Sequence, residues 1–183
     1  SAHDIPTKAK WTEIGVVGKE SSLLEKKHNT AETIVKLLRQ CSTYQFHDTS
    51  DKASIRMRWD VTDAVRLRSD GGNLAPVLLT LRENHFKRYQ LVVRQIQRVL
   101  PTFKDFVLEQ NYGKVDLRWI GQQSDKVFGP HLTSDGSLRL FCLLTLLNLP
   151  PDQLPDVMFF DEPELGLHPH AITLVAEMLK RLS

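Results

Sequence analysis

The feature that most constrains the fold is a run of four apolar residues, 157–160 (Val-Met-Phe-Phe), which Asp161 and Glu162 follow directly. An apolar run without alternation is typical of a strand that is buried on both faces. Charged residues after such a strand would lie at its carboxyl end, where open α/β sheets bind their ligands. Asp161 is therefore a candidate Mg²⁺ ligand, and Glu162 is a candidate base that activates water. The alternative is a buried strand that simply ends in a polar loop.

The composition favours an ordinary globular protein. Of its 183 residues, 41% are hydrophobic and 25% are charged. The chain has 24 Lys and Arg against 22 Asp and Glu, so its net charge gives no argument for nucleic-acid binding. No apolar run reaches the ~18 residues that span a membrane, so we expect no membrane partner. The isolated cysteines Cys41 and Cys142 and the absence of a signal-peptide pattern favour the cytoplasm.

Periodic apolar positions predict three helices outside the candidate sites. The first has one apolar face formed by Leu74, Val77, Leu78 and Leu81, with Asn73 as its cap. The second has a stripe formed by Tyr89, Val92, Val93, Ile96, Val99 and Leu100. The last has a face formed by Ile172, Val175, Ala176, Leu179 and Leu182. Such stripes usually face a core, so we assign them no chemistry. A further helix is expected after Asn29 or Thr30.

Short runs in the middle of the chain predict antiparallel strands. Residues 106–108 and 126–128 are strand candidates, and residues 115–119 alternate apolar and charged side chains. A turn is expected at residues 111–113 (Asn-Tyr-Gly). Upstream lie four arginines, which indicate either a local basic patch or a solvated loop: Arg56, Arg58, Arg66 and Arg68.

A second candidate site begins at Ser134. Residues 133–137 (Thr-Ser-Asp-Gly-Ser) precede residues 140–147, which are apolar all round and predict a buried helix. The free N–H groups and the positive dipole end of a helix start can bind an anion. Plain N-capping by Ser134 or Asp135 is the alternative, and the Asp135 carboxylate disfavours an anion unless a metal or other cations are present.

Together, the two candidate sites resemble the ABC-type ATPase head. Residues 133–137 are similar to its signature motif, and residues 157–162 to its Walker B strand. Residues 164–169 (Glu-Leu-Gly-Leu-His-Pro) look like the form found in RecF-like and OLD-like predicted ATPases of the AAA_21 type. Three more segments resemble that group: residues 46–50, 68–74 and 134–139. The resemblance covers about residues 44 to 182 and implies an α/β fold, a partial ABC-ATPase (P-loop NTPase-like) head with a mixed sheet and flanking helices.

Under this resemblance, residues 1–183 are a single partial ATPase domain. Residues 1–43 form an N-terminal segment, and residues 44–130 contain helices and antiparallel strands. Residues 131–183 contain the signature motif, the Walker B strand and the following helix.

The resemblance also implies ATP and Mg²⁺ as cofactors. Asp161 would hold Mg²⁺ through water, and Glu162 would polarise the water that attacks the γ-phosphate.

The signature residues imply a partner, because ABC heads sandwich ATP between two copies. Ser134 and Gly136, with Ser137 nearby, would touch the γ-phosphate bound by a second ATPase head, in a homodimer or a higher oligomer. His168 would lie in the loop that crosses this interface. Relatives act in DNA repair or in defence against phage and other foreign DNA, so DNA or a nuclease or effector protein is a further expected partner.

The chain departs from the family pattern in several places. Residues 15–20 (Gly-Val-Val-Gly-Lys-Glu) predict a turn and not a phosphate loop, because only two residues separate the glycines. Thr133 stands where the family usually has Leu, and Gln45 cannot be assigned as the Q-loop glutamine. Neither a Walker A motif nor the histidine switch is found, so we expect part of a larger ATPase that binds ATP poorly alone. The alternative is a non-catalytic interaction or regulatory module. An OLD-type nuclease would need a downstream acidic metal cluster.

Overall fold

The computed structural model describes residues 16–17, 20–21, 33–36 and 41–182. Contacts within the chain divide it into two compact units, Ser1–Cys41 and Ser42–Ser183. We describe each unit separately.

The first unit contains a small hairpin. Strand β1 (Val16–Val17) pairs antiparallel with β2 (Glu20–Ser21), and two residues lie between the strands. The turn predicted within residues 15–20 lies between these strands, outside the described residues. Residues 33–36 are helical, as predicted after Asn29 or Thr30, and the other predicted residues of that helix lie outside the described part of the chain.

The second unit alternates helices with short strands. In chain order the elements are β3 (Cys41–Tyr44), whose first residue is the last of the first unit, β4 (Trp59–Asp60), α1 (Leu74–Asn84), α2 (Phe86–Val99), β5 (Phe103–Val107), β6 (Lys114–Val115), β7 (Arg118–Gly121), β8 (Ser124–Phe128), α3 (Asp135–Leu146), β9 (Val157–Phe160) and α4 (Pro169–Leu182). The described strands of this unit form three sheets, ordered β3–β9, β4–β6 and β5–β7–β8. The α/β class is therefore confirmed. The single mixed sheet is not seen among the described residues, whose strands form separate small sheets.

Helix α3 is the centre of the core. It packs against α2, and its residues from Leu140 to Leu146 are buried on every side, as the apolar pattern predicted. The Phe141 ring lies 5.4 Å from that of Phe103 and 5.2 Å from that of Phe106, both on β5. The core therefore fixes the direction of α3 and the position of its first turn.

The predicted strand at residues 115–119 is divided between two sheets. Val115 of β6 pairs with Trp59 of β4, whereas Trp119 of β7 pairs with Phe106 and Phe128. The predicted antiparallel arrangement of β5, β7 and β8 is confirmed. The alternation correctly marked the buried side chains, but it contains no information about a change of pairing partner along the run.

The strand β9 is less buried than its apolar sequence predicted. Met158 and Phe160 pack against the core, but Val157 and Phe159 are 43% and 55% exposed. The prediction that both faces are buried is therefore wrong for the described structure, in which β9 pairs only with β3. Because β9 pairs with β3 and packs on the core through one face, its other face, with Val157 and Phe159, is exposed.

The buried face of α4 differs from the predicted face. Four residues turn inward at i, i+3, i+4 and i+7, namely Ala171, Leu174, Val175 and Met178. Ile172 and Ala176, which we predicted to be inside, are exposed. Apolar residues occur on both sides of this helix, so periodicity alone cannot show which side is buried. The predicted side was the wrong one.

Asn73 precedes α1 as predicted, but its side chain does not cap the helix. It is fully buried, where it accepts from the Arg68 N–H and donates to the carbonyls of Asp63 and Arg66. Asn73 therefore stabilises the preceding loop instead of the helix start.

Candidate functional site

The start of α3 is capped by its own serine. Ser134 is the N-cap residue, and its Oγ accepts a hydrogen bond from the Ser137 backbone N–H at 3.2 Å. The two serine hydroxyls lie 2.9 Å apart. The N-capping alternative is thus what the structure shows at Ser134, and it holds both hydroxyls at the mouth of the helix.

The buried side chain of Arg56 holds the start of α3 through contacts with Asp135 and with nearby backbone carbonyls. The Arg56 side chain is only 6% exposed, and its Nη2 lies 2.8 Å from an Asp135 carboxylate oxygen. Its Nε donates to the Thr49 carbonyl at 2.8 Å, and Nη1 donates to the carbonyls of Pro130 and Thr133. A solvated loop or an open basic patch is therefore wrong for Arg56. Because Asp135 is paired with a cation, its charge opposes an anion at the helix start less than the sequence indicated.

Thr133 has a structural role that a leucine could not fill. It is 4% exposed, and its hydroxyl accepts from the Trp119 indole N–H at 3.0 Å while donating to the Gly129 carbonyl at 2.9 Å. Thr133 therefore makes two hydrogen bonds that a leucine would lack, and the one from Trp119 is buried.

The turn after β9 lies directly on the first turn of α3. A Cβ atom on Gly136 would overlap the Gly166 carbonyl oxygen, so only glycine fits at Gly136 without movement. Gly166 itself has a φ of 71°, a left-handed conformation that favours glycine. A cavity of about 150 Å³ opens beside this contact, and its lining includes Ser134, Ser137 and His168. The four residues predicted to contact the nucleotide of a second head therefore surround one cavity.

His168 is exposed and lies at the start of α4. Its carbonyl accepts from the N–H groups of Ala171 and Ile172, and its Nδ1 accepts from the His170 N–H at 3.3 Å. The His168 and His170 rings stack with centroids 5.3 Å apart. His168 is therefore part of the helix start as well as of the cavity wall.

Asp161 lies at the carboxyl end of β9, next to β3. Its N–H donates to the Tyr44 carbonyl at 3.1 Å, and one of its carboxylate oxygens accepts from Gln45 Nε2 at 2.8 Å. The Asp161 side chain remains 53% exposed. Gln45, which the sequence left unassigned, is thus the side chain that orients this carboxylate.

His47 lies across both carboxylates. Its Nε2 is 2.8 Å from the Asp161 carbonyl oxygen, and its Nδ1 is 3.6 Å from a Glu162 carboxylate oxygen. The sequence marked residues 44–50 only as a loop that could line a site. The signal that could have singled out His47 is its place two residues after Gln45, just beyond a strand that pairs with β9.

Glu162 has an unusual backbone conformation. Its φ is 44°, in the left-handed region that non-glycine residues rarely adopt. Such a conformation costs about 1–3 kcal/mol and is concentrated at functional sites. The Glu162 side chain is 61% exposed, and its carbonyl accepts from the Leu165 N–H at 3.1 Å, so this conformation belongs to the turn that follows β9.

One arginine connects the two candidate sites. Arg139, in the second turn of α3, donates to the carbonyls of Phe46 and His47 at 3.1 and 3.0 Å. Its third bond, at 3.2 Å, goes to the Leu165 carbonyl in the turn after β9. The helix start and the carboxylate pair are therefore held in one arrangement by a single guanidinium.

Comparison with known families identifies the family of the chain. Residues 12–183 match the family described as AAA domain, putative AbiEii toxin, Type IV TA system. The chain belongs to this AAA-domain family. Neither a curated protein nor a solved structure gives a significant match.

Membership of the AAA-domain family implies a P-loop NTPase-like α/β fold and a nucleotide-binding ATPase domain. In the described part of the chain, none of the helices combines the length and the apolar character needed to cross a membrane.

The family generally uses ATP and Mg²⁺, so the carboxylates of the AAA domain can be tested for their fit to this metal. Among the described residues, no group of three His, Cys, Asp or Glu side chains could hold a metal ion. Mg²⁺, however, usually binds one or two carboxylates together with water and substrate phosphates. The exposed Asp161 carboxylate, oriented by Gln45, fits a site of that kind.

Proposed function

We propose that this AAA domain is the part of a RecF-like or OLD-like ABC-type ATPase head that contains the signature motif and the Walker B strand. The observation that supports this most directly is the pair of carboxylates at the end of β9. Asp161 and Glu162 are exposed, adjacent and contacted by Gln45 and His47, and Glu162 has a strained backbone. An exposed carboxylate pair at a strand end is suited to positioning a metal and a water molecule.

In this proposal the two carboxylates have different tasks. Asp161 would hold Mg²⁺ through water, and the metal would neutralise phosphate charge. Glu162 would accept the proton of the attacking water. Gln45 fixes the Asp161 carboxylate, and His47 contacts the Asp161 main chain and the Glu162 side chain. Phosphoryl transfer depends mostly on positioning and charge neutralisation, which these contacts can supply.

The start of α3 would act on a nucleotide bound by a second head. Ser134, Gly136, Ser137 and His168 line one cavity, and the first turn of α3 has N–H groups that can donate to phosphate oxygens. A helix start delivered by a partner would complete the site only when two heads meet. The setting that we propose, DNA repair or defence against foreign DNA, follows from the family resemblance alone.

The decisive experiment is steady-state ATP hydrolysis by the complete protein with Glu162→Gln. Loss of the proton acceptor should lower kcat by about 100-fold or more while leaving nucleotide binding in place. Glu83→Gln, which changes an exposed glutamate on α1, is the matched control and should keep full activity. Equal turnover by the wild type and Glu162→Gln would show that Glu162 is not the base.

A second candidate function is a non-catalytic interaction or regulatory module. The observation that favours it is the sequence itself, since the 183 residues contain no Gly-x-x-x-x-Gly-Lys-Ser/Thr motif. A complete protein that neither binds nor hydrolyses Mg·ATP would support this module and reject the ATPase.

A further inference from the structure

The helix α2 carries an unusual concentration of positive charge. Its sequence, Phe-Lys-Arg-Tyr-Gln-Leu-Val-Val-Arg-Gln-Ile-Gln-Arg-Val, contains four cations and no acidic residue. The whole chain has a net charge of only +2, so this charge is local. The periodicity of α2 correctly predicted its core-facing side but contains no information about the charge on the opposite side.

One of the four cations is used inside the protein. Arg88 is partly buried, and its Nη1 donates to the carbonyls of Asn148 and Leu149 at 3.1 and 3.0 Å. These carbonyls lie just after α3, so Arg88 stabilises the segment that follows that helix.

The other three cations form an exposed row, which we call the α2 basic row: Lys87, Arg94 and Arg98. Together with exposed Leu91 they follow the spacing i, i+4, i+7 and i+11, which places them on one side of the helix. None of the three forms an ion pair with any residue that the structure describes. Arg98 shares the lining of a surface cavity with Glu177 and His170, but no ion pair joins it to Glu177.

The like charges of the α2 basic row destabilise the helix slightly. Arg94 and Arg98 are i and i+4 neighbours of like charge, which repel each other on a helix surface. Solvent-exposed helices usually place an acidic residue at this spacing instead. By contrast, three of the four arginines that the sequence singled out contact carboxylates or backbone carbonyls, whereas Arg94 donates to the Gln90 side chain of its own helix at 3.4 Å. Arg56 is buried, Arg58 bonds to the Asn111 carbonyl, and Arg68 lies near Asp63 and Asp70.

We propose that the α2 basic row binds the phosphate backbone of nucleic acid. From Lys87 to Arg98 the row is about 16 Å long at 1.5 Å per residue, and duplex DNA carries one charge per about 1.7 Å of its axis. Several phosphates therefore lie within reach of a straight row of this length. Arginine presents a planar fork of donors that suits phosphate oxygens.

The composition of the row argues against a membrane surface. The wide apolar side of α2, with Tyr89, Val92 and Ile96, is buried in the core. Only Leu91 and Phe86 are large exposed hydrophobic residues on this helix, too few for an interfacial helix that inserts an apolar face. This inference does not depend on ATP hydrolysis and can be tested separately from it.

The test measures binding of the 183-residue chain to a fluorescein-labelled DNA duplex of about 20 base pairs by fluorescence anisotropy. Three phosphate contacts predict a slope of about −2.7 for log K against log salt, so affinity should fall about 40-fold between about 50 and 200 mM salt. The triple variant Lys87→Gln/Arg94→Gln/Arg98→Gln should lose this salt-dependent binding. The control Lys52→Gln/Lys114→Gln/Arg181→Gln removes the same charge from exposed positions elsewhere and should bind as the wild type does.

Several outcomes would overturn the proposal. These are no binding by the wild type, unchanged binding by the triple variant, and equal loss in the triple variant and its control. Row-dependent binding that is tighter to polyglutamate or to anionic phospholipid vesicles than to the duplex would assign the row to an acidic protein or a membrane instead. If circular dichroism shows that the triple variant is unfolded, the single variants decide, because each should make the slope less negative by about 0.9.

Discussion

The start of α3 and the end of β9 are built in opposite ways, although Arg139 joins them. The residues that support the start of α3 lie in the protein interior, since Arg56 and Thr133 are buried and hydrogen-bonded. Asp161 and Glu162 are exposed, and Gln45 and His47 are the side chains that contact them. Core packing therefore fixes the helix start without a ligand, whereas the carboxylates depend on a loop. The helix start is therefore held rigidly by the core, whereas the position of the two carboxylates can adjust with the loop.

The largest expected effect comes from removing the contacts of Arg56 at the start of α3. Arg56→Met removes donors from the carbonyls of Thr49, Pro130 and Thr133 and should lower the free energy of unfolding by about 3 kcal/mol. Arg58→Met, which affects an exposed arginine with one bond to the Asn111 carbonyl, should cost less than about 0.5 kcal/mol. Urea denaturation measures both. Equal costs would mean that the start of α3 is not held by Arg56.

The reactivity of the two cysteines can compare the two regions. Cys142 lies in α3, and Cys41 lies in β3, the strand that pairs with β9. Burial, with a smaller effect of the Asp70 carboxylate, raises the pKa of the Cys142 thiol well above its usual range. Cys142 should therefore react with iodoacetamide at least ~100-fold more slowly than Cys41, since access requires opening of the core. Mass spectrometry of the alkylated peptides measures both rates.

The same shift gives a pH dependence with a defined sign. Above about pH 8.5 the unfolded chain loses the Cys142 proton while the folded chain keeps it, so stability should fall as the pH rises. A Cys142→Ala variant should lose this component of the pH dependence. Rapid labelling of Cys142 in the native protein would contradict the enclosed character of α3.

The smallest effect concerns the contact between the two regions. Gly136→Ala places a methyl group against the Gly166 carbonyl and should cost about 2 kcal/mol as the turn after β9 moves away. Gly129→Ala is the matched control, because a Cβ at Gly129 meets no atom within 4 Å. Thermal melts compare the two. A harmless Gly136→Ala would show that the turn is not packed on α3.

Sequence patterns predicted the elements whose burial is uniform. Helix α3, apolar all round, and the antiparallel strands around Trp119 were found where expected. The predictions failed where the outcome depends on which partners are present. Four apolar residues cannot show that β9 is covered on one side only, and two apolar sides of α4 cannot show which one is buried.

The candidate site was predicted unevenly for a related reason. Ser134, Gly136 and Ser137 were named from one local motif and His168 from a second one, and the structure places all four around one cavity. Arg56 and His47 lie far from these residues in sequence, and their importance comes from contacts that only the fold creates. Local patterns identify residues within one element, but not a side chain that reaches it from another segment.

The left-handed backbone at Glu162 restricts which residues evolution can accept there. Glycine would relax the conformation but would remove the carboxylate, and a β-branched residue would increase the strain. Aspartate tolerates the conformation better, but its shorter side chain would move the carboxylate away from His47. Stability alone would therefore favour glycine at this position, whereas the glutamate places a carboxylate oxygen 3.6 Å from His47 Nδ1 at the cost of a less favourable backbone.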